Sequence, residues 1–157
     1  MKQHVLAVLA GFAMLAPAAQ AADALVDAGN PKALYELARG FGSAELGTSE
    51  KGNPKIKGRM EGMGYTIFFL QCENGKKCRD VQFSAGWEGY DINQTQINDW
   101  NRRKNYSKAY LDDVNDPILE MDVVMSPGIT TAAFERAFNL WKLALKDFRK
   151  QVLKVDD

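Results

Sequence analysis

The chain has 157 residues, in which 20 lysines and arginines balance 20 aspartates and glutamates, and its single histidine is His4. This length fits one ordinary domain. The near-neutral charge gives no broad electrostatic reason to bind nucleic acid, so we expect no nucleic-acid partner.

Residues 1–21 have the pattern of a secretory signal peptide. Lys2 provides the charged start, the stretch from Val5 to Leu15 is apolar, and Ala19-Gln20-Ala21 is a small-x-small cleavage site. A retained anchor is the rival interpretation, but the apolar run has about half the roughly 20 residues of a spanning helix. A lipoprotein would need a cysteine directly after the cleavage site, where this chain has Ala22. We predict cleavage after Ala21, export to the periplasm, a single domain over residues 22–157, and no membrane association after cleavage.

Cleavage would remove His4 and leave the mature chain without an imidazole. Histidine is the commonest general base and the commonest metal ligand in proteins. No other catalytic constellation is visible, so we expect no catalytic residues, no metal site and no cofactor.

The hydrophobic patterns of the remaining chain alternate between helical and strand periods. Asn30-Pro31 is typical of a helix start, and the apolar stripe from Phe134 to Phe148 is typical of a packed helix. The predicted elements are a helix over 32–41, strands near 44–49 and 55–61, a cysteine-bearing hairpin over 65–85, a helix over 94–104 that Asp91 or Asn93 opens, strands near 106–112 and 118–125, and a final helix that Thr130 or Thr131 caps. We predict a break at Gly62-Met63-Gly64 and a frayed tail after Lys150.

This order, α-β-β-β-β-α-β-β-α, predicts an α+β fold. We expect an antiparallel sheet of about five to six strands with flanking helices, because successive strands are joined by short turns.

Cys72 and Cys78 are the only cysteines, and they flank a short loop that contains Asn74-Gly75. In an oxidising compartment a structural disulfide is the expected state of such a pair. A redox-active pair would favour C-x-x-C spacing before a helix, and a zinc site would need more ligands. The sequence therefore predicts a disulfide across a hairpin loop.

Pairing of these cysteines would fix the register of the hairpin. Phe69 would face Val81, Ile67 would face Phe83, and Tyr65 would face Ala85, all towards the core. Phe68 and Leu70 would then point to the opposite, disulfide-bearing side. Either another element covers them or they form a partner-binding face, which is the hypothesis carried forward.

Two other clusters have ordinary structural interpretations. Asp112, Asp113, Asn115 and Asp116 are rich in oxygen ligands, but their spacing does not match a calcium loop. Trp100 followed by Arg102-Arg103-Lys104 could contact nucleic acid, although a core tryptophan before a solvated helix end is the simpler interpretation.

Several segments together resemble the YbjN domain family, which is labelled as bacterial sensory-transduction regulators. The most specific piece is Trp100-Asn101 followed a few residues later by an aromatic strand. The other pieces are Asn53-Pro54-Lys55-Ile56-Lys57-Gly58, the cysteine hairpin through Phe83, Ile97-Asn98-Asp99, Tyr106, Ala109-Tyr110-Leu111, Leu119-Glu120-Met121-Asp122, Gly128-Ile129-Thr130, and the last helix with Phe138 and Trp141.

The resemblance implies a fold similar to that of type III secretion chaperones, often seen as a dimer, and it implies no enzymatic activity. The signal peptide departs from the cytoplasmic members of the family. We therefore expect a non-enzymatic, exported binding or chaperone-like module with a protein partner or a homodimer. The alternative is a small-ligand receptor, or an enzyme that uses carboxylates and hydroxyls.

Overall fold

The computed structural model describes residues 24–155. The predicted signal peptide, its cleavage site and His4 lie outside the described residues. The strands are β1 Leu25–Val26, β2 Ser43–Thr48, β3 Pro54–Met60, β4 Met63–Leu70, β5 Asp80–Gly86, β6 Lys108–Leu111, β7 Pro117–Val124 and β8 Ile129–Thr130. The helices are α1 Pro31–Arg39, α2 Gln94–Arg103 and α3 Thr131–Phe148, and a π-helical turn follows over Arg149–Leu153.

Six strands form one antiparallel sheet in the order β2-β3-β4-β5-β7-β6, and β1 pairs with β8 in a separate two-stranded sheet. The predicted α+β class, the antiparallel sheet and the order of the larger elements are confirmed. The two-residue strands β1 and β8 were not predicted, because two residues are too few to give a period-2 pattern. No helix among residues 24–155 is long and apolar enough to cross a lipid bilayer.

The helices begin at the capping residues that the sequence indicates. The side chain of Asn30 accepts a hydrogen bond from the backbone of Ala33, and that of Thr130 accepts one from Ala133. Asn93 and Gln96 form a reciprocal capping box at the start of α2. The first helix ends at Arg39, two residues before the predicted end, and Phe41 stacks on Phe138 with ring centroids 4.5 Å apart.

The predicted hairpin register is confirmed from Thr66 to Leu70. Phe69 pairs with Val81 and Ile67 pairs with Phe83, and all four side chains are buried. Cys72 and Cys78 form the predicted disulfide. Its loop turns at Asn74 and Gly75, which both have positive φ, as the type I′ hairpin turn requires.

Two local expectations around this hairpin were wrong. Tyr65 and Ala85 are both buried, but the ladder between β4 and β5 stops at Thr66–Ser84, so they are not paired. The break over 62–64 is a tighter turn at Glu61-Gly62, where both residues have positive φ, and β4 already begins at Met63.

One face of the six-stranded sheet carries the core, and the three helices contribute to the same cluster. The ring of Phe83 lies at its centre, 5.0 Å from that of Phe138 and 5.7 Å from that of Trp141. The stripe predicted for the last helix is confirmed, because each of its members is fully buried: Phe134, Phe138, Trp141, Leu145 and Phe148.

The tail was predicted to fray after Lys150, and this was wrong. The chain continues as the π-helical turn, in which Val152 is 2% exposed and Leu153 is 6% exposed. Val152 extends the apolar stripe four residues beyond Phe148. The wider π turn also brings its neighbour Leu153 to the core, which the 3.6-residue period does not predict.

A side-chain amide joins α2 to the edge strand β6. The Asn101 amide donates to the carbonyl of Ala109 at 2.9 Å and accepts from its N–H at 2.8 Å. Strand β6 is also shorter than predicted, since Tyr106 has a φ of 67° and the strand starts only at Lys108. The Trp-Asn pair of the resemblance therefore has two structural roles, with Trp100 in the core and Asn101 on the edge of the sheet.

Replacing both cysteines by serine should lower the free energy of unfolding by about 2 kcal/mol, the loop-entropy value for so short a loop. The hairpin should still form, because its apolar pairs remain. Urea unfolding with and without a thiol reductant measures this effect. Reductant should shift the wild-type midpoint and leave the serine variant unchanged; equal midpoints for both proteins would show that the bridge adds no stability.

Asn101→Ala should lower the free energy of unfolding by about 2 kcal/mol, because two backbone groups of Ala109 lose their partner. Asn98→Ala is the matched control, since it makes the same change on the exposed side of α2, where the Asn98 side chain accepts a hydrogen bond from the exposed Gln94. The control should cost less than about 0.5 kcal/mol. Equal effects of the two substitutions in urea unfolding would contradict the edge role of Asn101.

Candidate functional site

Within residues 24–155, no helix or strand packs over the second face of the six-stranded sheet. Every buried side chain of these strands points to the core face, and no residue on the opposite face is fully buried. We call this second surface the open sheet face. Its members are Ser43, Glu45 and Gly47 on β2; Lys55, Lys57 and Arg59 on β3; Gly64, Thr66, Phe68 and Leu70 on β4; Asp80, Gln82, Ser84 and Gly86 on β5; Ile118, Glu120, Asp122 and Val124 on β7; Lys108 and Tyr110 on β6.

Phe68 and Leu70 lie on the open sheet face, as the predicted register places them, and both are half-buried. Phe68 is flanked by Lys55 on β3 and Gln82 on β5. Leu70 is paired with Asp80 at the end of the ladder. Both side chains also line a cavity of about 490 Å³ with Ser49, Glu50, Lys51 and Asn53 of the turn between β2 and β3. Their role in partner binding stays a prediction.

Charged side chains of opposite sign lie on the two sides of Phe68 and Leu70. Lys55, Lys57 and Arg59 alternate along β3 and form a basic stripe on one side. Glu120 and Asp122 alternate along β7 on the other side. The strand order separates β3 from β7 by β4 and β5, so the two stripes flank a central band of apolar and small polar side chains.

The acidic side is organised by a network with β6. Lys108 Nζ lies 3.2 Å from a Glu120 oxygen and 3.9 Å from an Asp122 oxygen. The Tyr110 hydroxyl donates to Glu120 at 3.0 Å, and the Gln82 amide donates to Asp122 at 2.8 Å. Burial first, and then the Glu120 hydrogen bond and charge, raise the pKa of Tyr110 to about 12. The side chain of Glu120 is 12% exposed and that of Asp122 is 55% exposed, so Asp122 is the more accessible of the two carboxylates.

A cleft opens where β4 and β5 separate. The β3–β4 ladder runs on to Met60–Met63 and the β5–β7 ladder to Gly86–Ile118, whereas the β4–β5 ladder stops at Thr66–Ser84. The resulting cavity has a volume of about 760 Å³. Its lining includes Lys57 and Arg149, the hydroxyls of Tyr65, Thr66 and Ser84, the rings of Phe68 and Trp87, and the glycines 58, 62, 64 and 86.

Tyr65 is the unusual polar group of this cleft. Its side chain is 4% exposed, and its hydroxyl has no hydrogen-bond partner within the described residues. Burial raises the pKa of Tyr65 to about 12. The phenol is therefore neutral and carries an uncompensated desolvation cost.

The other clusters noted in the sequence have structural explanations. An Asp112 oxygen accepts hydrogen bonds from the N–H groups of Val114 and Asp116, which makes this acidic stretch a turn between β6 and β7. Trp100 is buried in the core, and Lys104 at the end of α2 pairs with Asp147 at 2.6 Å. Among residues 24–155, no three histidine, cysteine or acidic side chains form a group that could hold a metal ion.

Sequence reasoning found Phe68 and Leu70 but missed the charged stripes beside them. The signal was present, because Lys55-Ile56-Lys57 and Glu120-Met121-Asp122 alternate with the strand period. What was missing was the strand order, which places β7 beside β5 and so sets the acidic stripe opposite the basic one.

Tyr65→Phe should raise the free energy of unfolding at neutral pH by about 1 kcal/mol, because it removes a buried hydroxyl without a partner. The folded-state pKa of Tyr65 lies above its unfolded value of 10.0. Below pH 10 the phenol keeps its proton in both the folded and the unfolded state. As the pH rises from 10 towards 12 the unfolded state loses this proton first, so the wild type loses stability. The advantage of the variant should grow over that range in urea unfolding at a series of pH values. A destabilised variant would show that the hydroxyl has a partner.

The chain matches the model of the family YbjN, described as "Putative bacterial sensory transduction regulator", over residues 30–154. No curated protein and no solved structure matches the chain, so the expected likeness to type III secretion chaperones stays a prediction. The family match extends from the cap of α1 to the end of the π-helical turn. It therefore covers far more than half of the sequence, and the chain belongs to the YbjN family.

Proposed function

We propose that this protein is an exported, non-enzymatic binding module that takes up a protein partner on its open sheet face. The observation that carries the proposal is the half-buried Phe68, which lies between a basic and an acidic stripe on a face that no helix of the described residues covers. Apolar side chains rimmed by charge are typical of protein interaction sites. The family description as a transduction regulator supports a role in binding rather than catalysis.

Export is part of this proposal, and two features support it. Residues 1–21 have the charged start, apolar run and small-x-small site of a secretory signal. The disulfide between Cys72 and Cys78 is of a kind that persists in oxidising compartments such as the periplasm. Mass spectrometry of the protein from the native cell should give a mature chain that begins at Ala22.

The cleft between β4 and β5 favours a second candidate function, a receptor for a small ligand. Among the described residues, its lining has two basic side chains, three hydroxyls and three aromatic rings but no carboxylate. Such a lining suits a small anion that carries an apolar group. Retention of a metabolite by the purified protein, released on unfolding and identified by mass spectrometry, would favour this function.

Photocrosslinking in the cell tests the protein-binding function. A photoreactive amino acid at Phe68 should give a discrete protein adduct, which mass spectrometry identifies. The matched control places the same amino acid at Leu143, an apolar residue that is 58% exposed on α3, away from the sheet. Adducts at Phe68 and not at Leu143 support the proposal. Identical adducts at both positions, or none at Phe68 in a folded protein, would contradict it.

A further inference from the structure

We propose that the open sheet face is occupied by a second copy of this chain, packed face to face about a two-fold axis that runs parallel to the strands between β4 and β5. The inference rests on the proposed binding function of this face and names its partner. It follows from the order of charges in two neighbouring rows of residues across the sheet, which is self-complementary under this operation.

One row of paired residues crosses all six strands. From β2 to β6 it reads Glu45, Lys57, Thr66, Ser84, Glu120 and Lys108. The signs along this row are negative, positive, neutral, neutral, negative and positive. Read in the opposite direction, every charge is replaced by one of opposite sign.

The two-fold axis reads the row in that opposite direction on the second copy. It sets β3 over β7, β4 over β5 and β2 over β6, and it keeps each row over itself. Lys57 then faces the partner's Glu120, and Glu45 faces the partner's Lys108. Because the contact is isologous, each pair occurs twice.

The neighbouring row follows the same rule. It reads Gly47, Lys55, Phe68, Gln82 and Asp122 from β2 to β7, so Lys55 faces the partner's Asp122. The other face-to-face two-fold, with its axis across the strands, would stack β3 on β3 and β7 on β7. That arrangement would place like charges together, which costs several kcal/mol in an interface, so the charges select the axis along the strands.

The centre of the arrangement is apolar and small. Phe68 lies beside the axis, and the two copies of its ring come side by side between the sheets. Thr66 and Ser84 face each other across the axis in the adjacent row, and their short side chains permit close approach. A central aromatic anchor within a charged rim is the usual distribution of binding energy in an interface.

The area of the open sheet face is large enough for a small specific interface. Six strands about 4.8 Å apart, each with about six residues that rise 3.3 Å, cover about 600 Å². Two such faces bury about 1,200 Å² together, at the lower end of specific interfaces. We therefore expect a reversible dimer that weakens as salt is added, because its rim is charged.

Charge reversal on a matched pair tests the geometry in the full mature protein by sedimentation equilibrium. Lys55→Glu places like charges opposite Asp122 at both symmetric contacts, and Asp122→Lys does the same opposite Lys55. Each variant alone should dimerise at least about 100-fold more weakly than the wild type. An equimolar mixture of the two variants should restore the dimer, because both contacts in the mixed pair then join opposite charges.

Arg136→Glu is the control, since it makes the same change of charge on the exposed side of α3 and should leave the dimer unchanged. Restoration by mixing also shows that both variants are folded. A wild-type dimer that Lys55→Glu leaves unchanged, or variants that mixing fails to restore, would overturn the inference.

Crosslinking at Phe68 separates this inference from the function on which it rests. A self-adduct supports both. A monomeric wild type that crosslinks to a different protein would overturn the second copy and keep the binding function. A monomeric wild type with no adduct would overturn both.

Discussion

The register of the β4–β5 hairpin is the constraint on which the rest of the structure depends. In a strand, a shift by one residue exchanges its two faces. Such a shift would expose Ile67 and Phe69 and would bury Phe68 and Leu70. The disulfide and the Asn74-Gly75 turn hold the register from one end. The central position of Phe83 among the aromatic rings of α3 holds it from within the core.

Local chemistry was enough to predict the parts of the fold that depend on it. Each of these patterns lies within a few helical turns or one strand of the sequence. They are the caps at Asn30 and Thr130, the alternation along β5 and the apolar stripe along α3. The cysteine spacing joined two strands and so predicted a register as well as the elements. Phe68 and Leu70 came from that register, which is why this part of the candidate site could be found without a structure.

The remaining features depend on contacts between distant segments. Strands β5 and β7 are separated in the chain by α2 and β6, so no local sequence pattern predicts that they pair. The charged rows and the cleft follow from this pairing, because the first needs the strand order and the second needs one ladder to stop before its neighbours. The same holds for three short segments: β1, β8 and the turn at Val152 and Leu153. Their contacts with other segments stabilise them, not their own secondary-structure propensity.

The amide of Asn101 has a consequence for how the sheet ends. The N–H and C=O of Ala109 point away from β7, and they would otherwise offer a template on which a foreign strand could add. Asn101 occupies both groups, so the β6 border is closed in the middle of its four residues. The β2 border, where Glu45 and Gly47 stand, is the side on which the sheet can be extended. Growth of aggregates by strand addition should therefore be one-sided, from β2 outwards.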